Sequence, residues 1–184
     1  RVRWHSPGSL DLFAPLLYTY MAAVMAGICS NYPLLERFSD TSFAYACCCF
    51  NLGMQVWAYI HTDHLNLPFA WCAITALGDF DPDYGGHLIL WSLGLVVRFP
   101  PGSTIYIPSA LVRHSNIPVR QHERRFSIVQ WMPGALCRWH DFGFKPAKAF
   151  EAEHGKEAAS EANRARWKSG VDLFPRLAYF RCKM

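Results

Sequence analysis

The sequence of 184 residues lacks paired CxxC motifs, internal repeats and low-complexity linkers. The first absence argues against a zinc site built on cysteine pairs, and the other two leave a single domain over residues 1–184 as the expectation. A strong excess of one charge is also missing. The net charge of +4 permits a polyanionic partner without demanding one. No signal peptide is recognisable, and Cys47-Cys48-Cys49 are consecutive, so their side chains alternate between faces. The seven cysteines, an odd number, are therefore expected to be reduced, mostly buried residues of an intracellular protein with no metal role. The chain begins at Arg1 rather than at a methionine, and a fragment or processed piece is the expectation.

One long apolar run, residues 10–29, raises the question of a membrane span. Asp11, Pro15 and the hydroxyls of Tyr18, Thr19 and Tyr20 argue against it, and no membrane partner is expected. The run reads as a packed helix, capped by Ser9 or Asp11, with Leu12, Leu16, Met21, Val24 and Ile28 turned inward. Asn31-Tyr32-Pro33 ends it, and a short helical turn is expected over residues 34–38.

Hydrophobic residues make up 52% of the chain and aromatics 15%, which is the composition of a folded globule with a sizeable core. From residue 43 the texture becomes strand-like. Strands are expected over residues 43–50, 54–60, 69–77, 87–91, 93–99, 103–108, 111–114 and 125–131, with turns at Gly78-Asp79-Phe80-Asp81-Pro82 and Pro100-Pro101-Gly102. Short strands punctuated this regularly predict a sandwich or jelly roll. After residue 139 the pattern turns helical, with one helix over 147–168 whose charges form a solvated face. The expected fold is thus mainly β with flanking helices: a helical part over about 10–40, a β core over about 43–140 and a C-terminal helix over about 147–168.

Within that core, His61-Thr62-Asp63 places an imidazole and a carboxylate two residues apart, on one face of an extended segment. A single HxD is weak, because such spacings arise by chance and a buried histidine is more often hydrogen-bonded core. Order and context strengthen it. His114, in a separate strand-like run, completes two histidines and one carboxylate, the facial set that leaves three positions open on non-haem Fe(II). Arg125 and Ser127 follow, sharing one face, where guanidinium and hydroxyl can hold the far carboxylate of 2-oxoglutarate. Triad followed by arginine is the order found in 2-oxoglutarate/Fe(II) dioxygenases. Arg124 points to the opposite face, and Arg125, whose face Ser127 shares, is the predicted anchor.

His61-Thr62-Asp63-His64-Leu65-Asn66, with Gly85-Gly86, Pro101-Gly102-Ser103, His114-Ser115-Asn116 and Arg125-Phe126-Ser127, resembles the TET/J-binding-protein group of dioxygenases. Segments similar to Ala73-Ile74-Thr75-Ala76-Leu77-Gly78-Asp79-Phe80-Asp81-Pro82 and Pro108-Ser109-Ala110 bring it nearest to the fungal, transposon-associated TET-like proteins. The likeness runs over residues 13–174. It implies a double-stranded β-helix (jelly-roll, cupin-like) core and a nuclear enzyme that uses Fe(II), 2-oxoglutarate and O2. Its implied reaction is oxidation of 5-methylcytosine in DNA to 5-hydroxymethylcytosine and onward, on a base flipped out of the duplex. No protein partner can be inferred.

Two residues are candidates for contact with that base. Asn66 offers donor and acceptor three residues after Asp63, and Trp131 shares the parity of Arg125, Ser127 and Val129. Relatives carry Asn or Asp at the former place and aromatics at the latter. The structural alternatives are a turn cap for Asn66 and ordinary core for Trp131. The sequence departs from the animal pattern in having no cysteine-rich segment before the core, and Pro133 where animal relatives have a base-contacting histidine. N6-methyladenine therefore stays open as a substrate. So do an oxygenase of RNA, protein or small molecules, and a catalytically silent cupin-like binding module.

Overall fold

The computed structural model describes residues 8–35 and 44–181. These form two compact units, one of residues 46–133 and the other of the described residues to either side.

Residues 46–133 build two antiparallel sheets. The first has four strands in the order β1 (Cys47–Asn51), β7 (Arg124–Trp131), β2 (Cys72–Asp79), β5 (Thr104–Ile107). The second has three, in the order β4 (Leu95–Val97), β3 (Leu88–Leu90), β6 (His114–Asn116). Period-two alternation sends Cys72, Ile74 and Ala76 of β2, Leu88 and Leu90 of β3 and Ile107 of β5 into one buried cluster with Phe80, Phe99, Val112 and Val119. Residues 54–60, expected as a strand, instead form with His61 an extended segment that touches both sheets. Arg125 N–H donates to the Met54 carbonyl and Val56 N–H to that of Arg125, while His61 and His114 exchange both backbone bonds, at 3.0 and 2.9 Å. The segment borrows one partner from each sheet, so neither gives it a continuous ladder.

Other boundaries shift for local reasons. The expected turn at Gly78-Asp79 belongs to β2, because both residues pair with β7, Gly78 opposite Arg125 and Asp79 opposite Arg124. Gly78 takes φ +123°, and a Cβ there would lie 2.2 Å from the Arg124 carbonyl oxygen, so only glycine lets these strands close here. β6 begins at His114 rather than at 111, since 108–112 form a turn with Leu111 and Val112 both donating to the Pro108 carbonyl.

The second unit is helical. The apolar run is two helices, α1 (Gly8–Phe13) and α2 (Pro15–Asn31), parted at Ala14 because Pro15 lacks an N–H and disfavours helical geometry in the residue before it. The phase of the buried stripe changes accordingly: Leu10, Ala14, Leu17, Met21, Val24 and Ile28 are inside, whereas Leu12 and Leu16 are exposed. No side-chain hydrogen bond caps α2, the Ser9 side chain is outside the described residues, and so is most of the turn expected over 34–38. α3 (Gly134–Asp141) starts inside the stretch expected to be β core. The helix expected over 147–168 is also two, α4 (Ala147–His154) and α5 (Lys156–Val171), broken at Gly155 with φ +87°. A short α6 (Leu177–Arg181) follows. Helices cover more of the described chain than strands do, so the fold is mixed α and β rather than mainly β. Among the described residues no helix is long and apolar enough to cross a membrane. The six described cysteines are free, with Cys72 and Cys137 buried.

Candidate metal centre

His61 and His114 face each other across their shared backbone pair, with ring centroids 4.3 Å apart. Asp63 joins them, its Oδ1 3.5 Å from His61 Nε2. One ligand atom from each of the three residues lies within 4.8 Å of the other two, close enough for a single ion to reach all three. The tautomers suit that role. His61 Nδ1 lies 2.7 Å from the Tyr59 carbonyl oxygen and His114 Nδ1 2.8 Å from that of Val112. Carbonyl oxygens only accept, so both Nδ1 atoms carry a proton, and Nε2 is the nitrogen that each ring turns toward a ligand. Burial, reinforced by the neighbouring His61, lowers the His114 pKa and so favours its neutral ring. His114 is nearly inaccessible at 4% exposure, while the His61 side chain is 41% exposed, so the group is open on the His61 side.

These residues line a cavity of about 530 Å³ whose wall includes Arg125, Ser127, Val129 and Trp131 along one face of β7. The predicted parity therefore holds: Arg124 is exposed and Arg125 is buried at 2%. The Arg125 guanidinium donates one bond, 2.8 Å, to the Val56 carbonyl, and its Nε has no partner. Among the described residues no carboxylate forms an ion pair with it. Burial accordingly lowers its pKa. Ser127 Oγ accepts from Asn51 Nδ2 at 3.0 Å, which leaves the hydroxyl proton for another acceptor. Trp131 lines the cavity and also packs against the core cluster. The Asn66 amide also lines the cavity, but its nitrogen is engaged by Asp63 and Ser109.

Sequence reasoning missed several wall residues. Asn51 reaches Ser127 because β1 pairs with β7 in the register Asn51↔Ser127, a contact across 76 positions that no local spacing reveals. Asn116 holds the bridging segment by accepting from Ala58 N–H at 2.9 Å. Trp57 stacks edge-on against Tyr59, centroids 4.5 Å apart, with Trp57 on the cavity wall. Two exposed aromatics at alternate positions were the available signal for that pair.

No protein-family model and no curated protein matches the chain. Solved structures to which it is similar include NgTET1 in complex with 5mC DNA, at 14% identity and a TM-score of 0.43, with 70% of this chain and 52% of that one covered. Another is the viral collagen prolyl hydroxylase from Paramecium Bursaria Chlorella virus-1 in its 2OG complex, at 14% identity and a TM-score of 0.34, with 47% of this chain and 60% of that one covered. The chain thus spans about half the length of the first and three-fifths of the second.

Proposed function

We propose that this chain is an Fe(II)/2-oxoglutarate-dependent dioxygenase of double-stranded β-helix type that oxidises 5-methylcytosine in DNA, with both units acting as one catalytic domain. The observation that carries the reading is Arg125, a guanidinium that is buried and has no ion-pair partner among the described residues, in the same cavity as two histidines and a carboxylate. Burying an unpaired cation costs several kcal/mol, which a bound carboxylate would offset, and Ser127 stands beside it with a proton to donate.

His61, Asp63 and His114 would hold the ferrous ion, which supplies oxidising power from O2 as 2-oxoglutarate is decarboxylated. Everything else falls to the chain. Arg125 and Ser127 orient the cosubstrate by its far carboxylate, and the apolar wall of Ile74, Leu88 and Val129 keeps water away from it. Trp131 offers a face on which an extruded pyrimidine can stack. Asn66, its nitrogen committed, is left with Oδ1 to accept from the amino group of a base. A nuclear location accompanies this substrate.

A second reading of the substrate is favoured by charge. Residues 46–133 contain five arginines and no lysine against four aspartates and one glutamate, so the unit carrying the site has no net positive charge for duplex phosphates. An oxygenase acting on a protein or a small molecule, which carries no phosphate backbone, would keep the same triad and arginine. Mass spectrometry of nucleosides decides between them after incubation of the chain with Fe(II), 2-oxoglutarate and nucleic acid. Hydroxymethylcytosine from methylated DNA, absent with Asp63→Ala, is the expected result. Succinate without an oxidised cytosine would move the proposal to another substrate, and no succinate under any condition would leave only a binding module.

A further inference from the structure

The carboxylate of Asp63 is held from behind. Its Oδ1 faces His61 Nε2, while Oδ2 accepts from Asn66 Nδ2 at 3.4 Å, the long end of a hydrogen bond. The same Asn66 nitrogen donates to Ser109 Oγ at 3.1 Å. A carboxylate only accepts, so the amide must present its nitrogen on this side. The backbone repeats the arrangement: Asp63 N–H donates to the Ser109 carbonyl at 3.0 Å and Asn66 N–H to the Asp63 carbonyl at 2.8 Å. Leu67 N–H then anchors the turn to the Met132 carbonyl at 2.8 Å, just past β7. Ser109 itself is 1% exposed, so its hydroxyl meets neither solvent nor substrate.

A carboxylate free to turn about its Cβ–Cγ bond can give a metal one oxygen or both, and giving both consumes a position that cosubstrate or O2 needs. Occupying Oδ2 removes that choice. We infer that Asn66 and Ser109 are positioning residues, a clamp that confines Asp63 to one-oxygen coordination through Oδ1. The inference rests on the iron reading of the triad. It gives Asn66 a task that precedes any substrate.

The test is titration of the full chain with Co(II) alone, without 2-oxoglutarate or nucleic acid, read by calorimetry and by the d–d absorption of the bound ion. Wild-type protein is expected to bind one Co(II) and Asp63→Ala none. Asn66→Ala and Ser109→Ala should each weaken binding by about 10–100-fold and shift the d–d bands, as loss of a partner to a metal ligand does. Asn66→Ala/Ser109→Ala should bind no more weakly than the weaker single variant, because the two groups act as one unit. A pure base-contact role for Asn66 would leave both readouts at wild-type values. If Asp63→Ala loses Co(II) while both clamp variants match wild type in affinity and spectrum, the clamp is wrong and the iron reading stands. If Asp63→Ala binds Co(II) as wild type does, both fall. Circular dichroism monitors folding, and should Asn66→Ala not fold, Ser109→Ala decides alone.

Discussion

Arg125 is held in place at a cost, with one hydrogen bond, an unpartnered Nε and no ion-pair partner among the described residues. Its replacement by methionine should therefore separate stability from function. Arg125→Met is expected to unfold at a denaturant concentration no lower than wild type, because apolar side chains substituted for buried charge are often neutral or stabilising. The same variant should lose the stabilisation that 2-oxoglutarate confers on wild type, about 2.7 kcal/mol at a ligand concentration of 100 times Kd. Arg124→Ala, on the exposed face, should keep that stabilisation. Urea unfolding with and without 2-oxoglutarate checks all three proteins, and a ligand effect that survives in Arg125→Met would remove Arg125 from the cosubstrate site. At this scale much was legible. Parity set Arg124 and Arg125 on opposite faces, the face shared with Ser127 and the Arg-x-Ser pattern of the family it resembles chose Arg125, and the two-residue spacing of His61 and Asp63 put both in one cavity. Asn51 and Ser109 were not legible, because their partners lie 76 and 43 positions away, brought near by strand pairing and by the turn after Pro108.

Between elements, two features keep β2 and β7 in register beside the arginine. Gly78 allows their backbones to close, and Gly78→Ala combines a φ costing roughly 1–3 kcal/mol with a clash that backbone must yield to relieve. Thermal unfolding should show at least that loss of stability, and an Ala variant as stable as wild type would mean the strands are not so closely constrained. Just beyond, Glu123 ties the loop after β2 to the one before β7. It accepts from Asp81 N–H and Arg120 N–H, both at 2.8 Å, and from the Arg120 guanidinium at 2.7 Å. Arg120, with the backbone donors, pulls its pKa from 4.5 down to about 2. A depressed carboxylate contributes stability that is full above the unfolded value and is lost as pH falls through the folded one. Wild-type stability should thus decline between pH 4.5 and 2 more steeply than that of Glu123→Gln. Urea midpoints across that range measure it, and parallel curves would show that the loop clamp carries no linkage. The helix breaks at Pro15 and Gly155 belong to this scale as well. Both residues were visible in the sequence, but apolar and charged runs passing through them suggested continuity.

Over the whole molecule, charge is unevenly shared. Residues 46–133 are balanced, so the net +4 lies entirely outside them, and Lys148, Lys156 and Lys168 stand exposed on α4 and α5. The exposed lysines of the helical unit are thus the cations expected to meet nucleic-acid phosphates. Replacing these three lysines by alanine should flatten the slope of log K against log salt by about 0.9 for each phosphate they neutralise in the wild-type complex, while substrate-free succinate formation stays at the wild-type rate. Fluorescence anisotropy with a methylated oligonucleotide over a salt series reads the slope. An unchanged slope would assign the phosphates to other cations.

What the sequence determined by itself was whatever repeats over short distances: alternation that sets Arg125, Ser127, Val129 and Trp131 on one face, the HxD pair, and the punctuation that marks most strands. Period two is a property of the extended backbone, so it needs no partner to be read. Tertiary structure decided the rest. It brought His114 against His61 through a backbone bridge 53 positions wide, left Arg125 buried without an ion-pair partner among the described residues, and set Asn66 against Asp63. It also made residues 54–60 a bridge between sheets instead of a strand. Each of these depends on which distant backbone groups satisfy one another's hydrogen bonds, a choice made by the packed whole and carried by no local pattern.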